Sequence, residues 1–257
     1  MASAGTATRV VAHVHSDWSY DGSWPLERLA QAFAKRGYRA ILMAEHDRGF
    51  DEAKWRAYRE ACAAASTDEI LFVPGIEYSD ADNTVHVPVW GPVPFLGENL
   101  ETASMLAAAH EAGGIAVFAH PRRKQAYARF DPSWFRYLTG IELWNRRYDG
   151  YAPNRDVAVL LRSRPELLPF ATLDFHTTRH FHPLAMVVDT DGEVSEGAIL
   201  AAIAARRARP QAFGLPAQAF ARAPAWPVVW GADRTRRIGL KIARRTLVAA
   251  RRRRPSA

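Results

Sequence analysis

Eight short apolar runs, separated by stretches of helical periodicity, commit this chain to an α/β fold. The runs are Val10–Val14, Ala40–Met43, Ile70–Val73, Val85–Val89, Ile115–Phe118, Gly140–Leu143, Pro169–Thr172 and Ala185–Val188. Each has strand length and reads as a buried strand. Helical patterns cover Pro25–Lys35, Asp51–Ala65, Glu101–Ala112, Asn154–Leu161 and Ser195–Arg206. Pro25 falls in the first turn of its helix, where a missing N–H costs little. There is no internal repeat. A chain of 257 residues that is 48% apolar can bury one core, and α/β barrels reach this size as a single unit. The alternation therefore gives α/β, with a barrel favoured.

The apolar runs carry polar residues of one kind at or near their ends. His13-x-His15 closes the first run, and Asp21 follows in Tyr20-Asp21-Gly22. Glu45-His46-Asp47 follows the second run, Glu77 follows the third in Gly75-Ile76-Glu77, and His86 lies in the fourth. His120-Pro121 ends the fifth, and Asp174-x-His176 follows Pro169–Leu173. Alternate residues of a strand share a face, so two imidazoles at i and i+2 can converge on one cation. By itself such a pair is equally a pair of surface or core histidines. The ordered set is different: six His and three carboxylates (His13, His15, Asp21, His46, Glu77, His86, His120, Asp174, His176) would face one mouth of a barrel, where α/β enzymes build their sites. The single cysteine, Cys62, excludes a thiolate cage, and reads as a small packed residue. Imidazole with carboxylate suits Zn, Mn or Fe(II), and nine ligands imply more than one ion.

These motifs, in this order, resemble the polymerase-and-histidinol-phosphatase (PHP) superfamily of metal-dependent phosphoesterases over roughly the first 190 residues. That family's pattern is His-x-His with Asp-Gly soon after, Asp-His, Gly-x-Glu, a middle His, His-Pro and a late Asp-x-His. Where the family reads Thr-Asp-His, this chain has Ala44-Glu45-His46, and the small polar residue often found before the late Asp is Leu173. Neither departure removes a ligand. The resemblance implies a distorted seven-stranded (β/α) barrel of PHP type and a trinuclear centre. One ion would take His13, His15, Glu77 and Asp174, with Glu77 bridging to a second ion held by His86 and His120. A third would take Asp21, His46 and His176. It further implies hydrolysis of a phosphate ester, a phosphomonoester or small nucleotide, by a metal-bridged hydroxide. Paired ions supply such a nucleophile and clamp the oxygens of an in-line displacement, so no protein nucleophile is needed.

Three other activities compete with this reading. An exonuclease on short oligonucleotides would use the same centre. An amidohydrolase-like C–N hydrolase also opens on His-x-His, but no Lys lies at a suitable strand end to bridge two ions. A non-catalytic metal- or nucleic-acid-binding protein should have lost ligands, and none is missing.

Basic residues trail three of the strand ends. Arg122, Arg123 and Lys124 follow His120, Arg146 and Arg147 follow Gly140–Leu143, and Arg179, His180 and His182 follow His176. Any one of them reads equally as a solvated surface residue. Together they make a phosphate-facing rim, with Arg122, Arg123, Lys124, Arg179, His180 and His182 as the substrate-binding candidates. Trp18 and Tyr20, between His15 and Asp21, belong near the mouth.

Charge divides the chain into a body, residues 1–231, and a tail, residues 232–257. The tail carries ten Lys/Arg against Asp233, so a net charge of +7 leaves the body at −2. Apolar residues interleave the tail arginines, the pattern of a basic amphipathic helix. It reads as a helix docked on the body, as an electrostatic contact to nucleic acid, or as a contact to anionic membrane. No run approaches the roughly 20 apolar residues of a membrane span. Met1–Gly5 lacks the basic and apolar regions of a leader,, and with one cysteine the expected setting is cytoplasmic. The sequence leaves the oligomeric state open.

Overall fold

The structure, a computed structural model, describes residues 7–222 and, beyond them, 224, 227–228, 230–236 and 238–239. Most of the proposed amphipathic tail lies outside the described residues. Twelve strands are described: β1 (Ala7–Val14), β2 (Ala40–Met43), β3 (Glu45–His46), β4 (Leu71–Val73), β5 (Gly75–Ser79), β6 (His86–Trp90), β7 (Ile115–Phe118), β8 (Gly140–Asn145), β9 (Leu168–Thr172), β10 (Leu184–Asp189), β11 (Ala208–Ala212) and β12 (Leu215–Pro216). The α-helices are α1 (Leu26–Ala34), α2 (Glu52–Ala65), α3 (Thr102–Glu111), α4 (Arg146–Asp149), α5 (Arg155–Ser163), α6 (Glu196–Ala204) and α7 (Ala217–Arg222).

The strands form two six-stranded sheets, β12-β11-β10-β1-β2-β4 and β3-β5-β6-β7-β8-β9. Ala44 alone separates β2 from β3, and Pro74 alone separates β4 from β5. Because proline has no N–H to give a ladder, the parallel pair β2–β4 stops at Pro74 and resumes as β3–β5 in the other sheet. On the far side the chain after β9 returns to β1: Leu173 donates to the Ala12 carbonyl at 3.1 Å, Phe175 to that of His13 at 3.0 Å, and His15 to that of Phe175 at 3.0 Å. The sheets therefore meet along two seams. Five of the ten described strand pairs are parallel; β6 is antiparallel to both β5 and β7, β10 to both β1 and β11, and β11 to β12.

Two apolar layers explain the unbroken apolar runs. Val10, Ala12, Ala40 and Leu42 join one buried cluster with Val117, Phe170, Met186 and Ile203. Their alternate neighbours Val11, Val14, Ile41 and Met43 join another with Phe72, Phe118, Leu143 and Phe175. Strands buried on both faces have no solvent face to mark with polar residues. Helix α1 supplies Leu26, Leu29, Ala30 and Phe33 to this core at helical spacing,. Phe33 sits edge-on to Phe175 at 5.3 Å and so backs the segment that carries Asp174 and His176. Phe33→Ala should cost about 3–5 kcal/mol.

Candidate metal centre

Irregular backbone aims the candidate ligands. The pairing of β1 with β2 runs Ala12↔Leu42 and then Val14↔Met43, leaving His13 as a bulge with φ 62°. The His13-x-His15 pair is thus not two rungs of a regular strand; a bulge re-aims the first ring. His120 (φ 27°) and Asp174 (φ 48°) also adopt left-handed backbone two residues past β7 and β9. Such conformations cost about 1–3 kcal/mol each at non-glycine residues. Here they are held by hydrogen bonds, His120 N–H to Glu142 Oε2 at 2.6 Å and Phe175 N–H to the His13 carbonyl. His86 opens β6 rather than closing it. Its strand is antiparallel, so its start lies at the same mouth as the ends of the parallel strands. Gly22 follows Asp21 because a Cβ there would lie 1.7 Å from the Ser16 carbonyl oxygen.

Glu77, on β5, is the hub. Its Oε1 lies 3.1 Å from His13 Nε2, 3.0 Å from His86 Nδ1 and 2.9 Å from His120 Nε2. Its Oε2 lies 3.1 Å from His46 Nδ1 and 3.6 Å from His15 Nε2. Asp174 faces His176 Nδ1 at 3.2 Å and His15 Nε2 at 3.7 Å. Asp21 meets His176 Nε2 at 3.0 Å and His46 Nε2 at 3.3 Å. All nine residues singled out in the sequence fall in four overlapping groups whose donor atoms lie within 4.8 Å of one another. The groups are His13, His15 and Asp174; His13, Glu77 and His120; His46, Glu77 and His86; and His15, Asp21, His46 and His176. His15 thus stands between Asp174 and the Asp21 group.

The donor set fits divalent cations. His15 Nε2 and His120 Nδ1 are buried without a hydrogen-bond partner, and His13 Nε2 and His86 Nδ1, though 3.1 and 3.0 Å from Glu77 Oε1, do not meet it in hydrogen-bond geometry, a condition native interiors avoid unless something else takes the lone pair. Buried imidazole nitrogens around a carboxylate are what zinc-like ions use. Ionisation follows the carboxylates. Burial opposes the charge on Glu77, but His13 and His86 outweigh it and hold its carboxyl well below the usual range. Burial likewise disfavours protonated His46, yet Asp21 and Glu77 raise it to about 10. His176 is raised against burial to about 9 by Asp174 and Asp21. His86 is lowered to about 4 by burial, and burial with the neighbouring His176 and His46 pushes His15 well down.

Several supporting residues are visible only in three dimensions. Glu142, fully buried on β8, accepts from His120 N–H and from Asn145 Nδ2 at 2.7 Å, and meets His13 Nδ1 at 2.7 Å. Such a carboxylate fixes ring orientation and raises ligand basicity. Glu45 accepts from Ser16 N–H at 2.9 Å, Ser16 Oγ at 2.6 Å and Ser19 Oγ, while Ser19 Oγ accepts from His46 N–H at 2.9 Å. The longer acid at the Ala44-Glu45-His46 motif therefore clamps the loop that leads to Asp21. Arg147 donates to Asp174 Oδ1 at 2.9 Å and lies 3.0 Å from His176 Nε2.

The basic candidates divide. Arg123 donates to the Asn83 carbonyl and to Asn83 Oδ1, both at 2.7 Å, and to the Tyr148 hydroxyl at 3.2 Å. Lys124 donates to the Asn83 carbonyl at 2.8 Å, and Asn83 Oδ1 also pairs with His86 Nε2. Arg122 faces Asp149 at 3.9 Å. His180 Nδ1 accepts from His176 N–H at 3.1 Å. His182 packs on Trp144, Tyr151 and Phe213 instead of joining a ligand group, and Arg179 is exposed. Tyr20 stacks on His46 at 5.0 Å, whereas Trp18 packs on Tyr58. No described helix is long and apolar enough to cross a membrane.

No family model matches the chain, and no curated protein does. Solved structures do match. PsfC from Pseudomonas syringae aligns over 91% of this chain and 99% of its own at 14% identity, TM-score 0.55. A candidate metal-dependent phosphoesterase from Bifidobacterium adolescentis aligns over 68% and 90% at 17% identity, TM-score 0.50. The lesion-specific endonuclease PfuEndoQ from Pyrococcus furiosus aligns over 78% of this chain but 56% of its own, at 15% identity and TM-score 0.56. The chain shares their fold. At these identities the likeness is one of architecture,.

Proposed function

We propose that this protein is a metal-dependent phosphoesterase of PHP type that hydrolyses a small phosphomonoester. The observation that carries the reading is the buried Glu77 carboxylate ringed by five imidazoles, with Asp174 and Asp21 on its flanks. The two seams between the sheets support a ladder closed as a distorted seven-stranded barrel: β1, β2 with β3, β4 with β5, then β6, β7, β8 and β9. Three divalent ions fit the donor set. His13, His15, Glu77 and Asp174 would hold one, Glu77, His86 and His120 a second, and Asp21, His46 and His176 a third. Bound ions would supply Lewis acidity at a phosphoryl oxygen and lower the pKa of a water.

The chain's own part is to orient and to balance charge. Glu142 holds the His13 ring and the His120 backbone in place, and Glu45 holds the loop leading to Asp21. Arg147, anchored on Asp174, presents a guanidinium where phosphate oxygens would arrive.

The test is a phosphoester panel of nucleotide, sugar, amino-alcohol and oligonucleotide substrates, run on protein reconstituted with Zn, Mn or Fe. Metal-dependent phosphate release from a monoester is expected, lost on chelation. Full activity in folded His13→Ala or Asp174→Ala protein would overturn the proposal.

A further inference from the structure

We infer that the cavity beside the metal centre receives the alcohol side of the ester and selects a planar aromatic group bearing an anionic substituent. The inference rests on the phosphoesterase reading. The cavity, about 400 Å³, has Arg122, Tyr148 and Asp149 on one wall and Trp230, Asp233 and Arg234 on the other, and its volume is that of a small-ligand site. Tyr148 joins it to the centre: the same ring that lines the cavity lies 4.8 Å from the His120 ring. Arg122 follows the ligand His120 by two residues. A phosphate held at the cluster would therefore direct its ester oxygen towards this space.

The lining sets the ligand's chemistry. Trp230, half-buried, lines the cavity with its indole, and planar groups stack on indole rings with little dependence on their identity. Two guanidinium groups flank it, Arg234 at 5.2 Å and Arg122 at 5.9 Å from the ring centroid. The carboxylates are already engaged. Asp233 accepts from Arg236 at 3.1 and 2.8 Å, and Asp149 accepts from Asn145 N–H at 2.8 Å and faces Arg122. Arg234 has no carboxylate partner among the described residues. The charge that remains is positive and lies over the indole, which matches a carboxylate or second phosphate on an aromatic ring. The far wall lies in helical residues 230–236, across the expected boundary between body and tail. The start of the basic segment is thus part of the site.

The probe is 4-hydroxybenzoate, compared with phenol, titrated into metal-free full-length protein and followed by tryptophan fluorescence and calorimetry. 4-Hydroxybenzoate should bind at least about tenfold more tightly than phenol. Trp230→Ala and Arg234→Ala should each weaken it about tenfold, with Trp230→Phe and Arg234→Lys intermediate, in proteins of unchanged circular dichroism. Equal binding of the two probes, or unchanged binding in folded Trp230→Ala protein, overturns the inference. A separate arm measures phosphate release from 4-carboxyphenyl phosphate by the metal-loaded enzyme. Tight probe binding with no release would uphold the pocket's ligand class and overturn the phosphoesterase reading instead.

Discussion

Around Glu77 each imidazole is buried and several are braced from behind by a carboxylate, a serine or a backbone carbonyl. At the mouth, Arg122 and Lys124 are exposed, Arg123 and Arg147 part-exposed, and all four hold on to loops or to one another's neighbours. The difference separates two kinds of precision. The interior candidate ligands are fixed by hydrogen bonds made where water cannot compete, so their geometry is specified by the protein alone. The rim is fixed by contacts that water can replace, so it can change with the substrate without disturbing the centre.

The largest effect should come from the interior ligands. His13→Ala and Asp174→Ala each remove a donor from the Glu77 hub. Each should lower kcat/KM by more than about a hundredfold, since even residues behind the ligands are worth ten- to a hundredfold. Metal content by mass spectrometry and phosphate release measured together check this. A folded variant that kept its metal and its activity would erase the distinction between interior and rim.

Glu142→Gln comes next. It keeps the volume but replaces an acceptor-only carboxylate with a half-donor amide facing His13 Nδ1, His120 N–H and Asn145 Nδ2. Metal affinity should fall about ten- to a hundredfold, and stability by about 1–3 kcal/mol for the buried group left mismatched. Competition with a chromophoric chelator and urea unfolding read the two separately. A change of less than about twofold in affinity would show that the His13 ring is held by packing alone.

How much of this was legible in the residues follows from the same physics. The eight apolar runs and five helical patterns all appear as elements, with ends displaced by a few residues at most, because strands buried on both faces and amphipathic helices print their period directly. The nine candidate ligands converge because their motifs sit at strand ends. The short strands β3 and β5 were not legible: Glu45, His46 and Glu77 read as loop residues after the second and third runs. Nor was the antiparallel β6, since nothing in an apolar run of five residues encodes direction. Glu142 lies inside the run Gly140–Leu143 and drew no functional reading; its role depends on a bulge at His13 and a left-handed turn at His120. Trp230 and Arg234 carried no local signal, because the centre they approach is more than fifty residues away in sequence.

At the rim, Arg123→Ala should matter less than either interior change. It removes donors to Asn83 and Tyr148, at about 1 kcal/mol net for such bonds, and should alter KM by less than about tenfold with metal content unchanged. Loss of metal equal to that in Glu142→Gln would mean that Asn83, which also pairs with His86 Nε2, carries bracing from rim to interior. Asn83 would then belong to the interior and not to the rim.

The smallest expected effect concerns His182 and is read by pH. Its ring lies 5.8 Å from that of Trp144, 5.6 Å from Tyr151 and 5.1 Å from Phe213. Burial, then the nearby Arg146 charge, lowers it to about 4 against the pull of Asp233. A histidine whose folded pKa lies below its unfolded value stabilises the protein fully above about 6.5, and that contribution is lost as pH falls from 6.5 towards 4. The full shift would be worth about 3 kcal/mol. A half-exposed ring is screened by water, so about 1–2 kcal/mol is expected. The candidate ligands His46 and His176 are shifted the other way, so metal-free wild type must be compared with His182→Asn, in which their titration cancels. Between pH 7 and pH 5, urea unfolding should show wild type losing about 1 kcal/mol more than the variant. Equal losses would place His182 in water, with no share in the packed layer that supports Trp144.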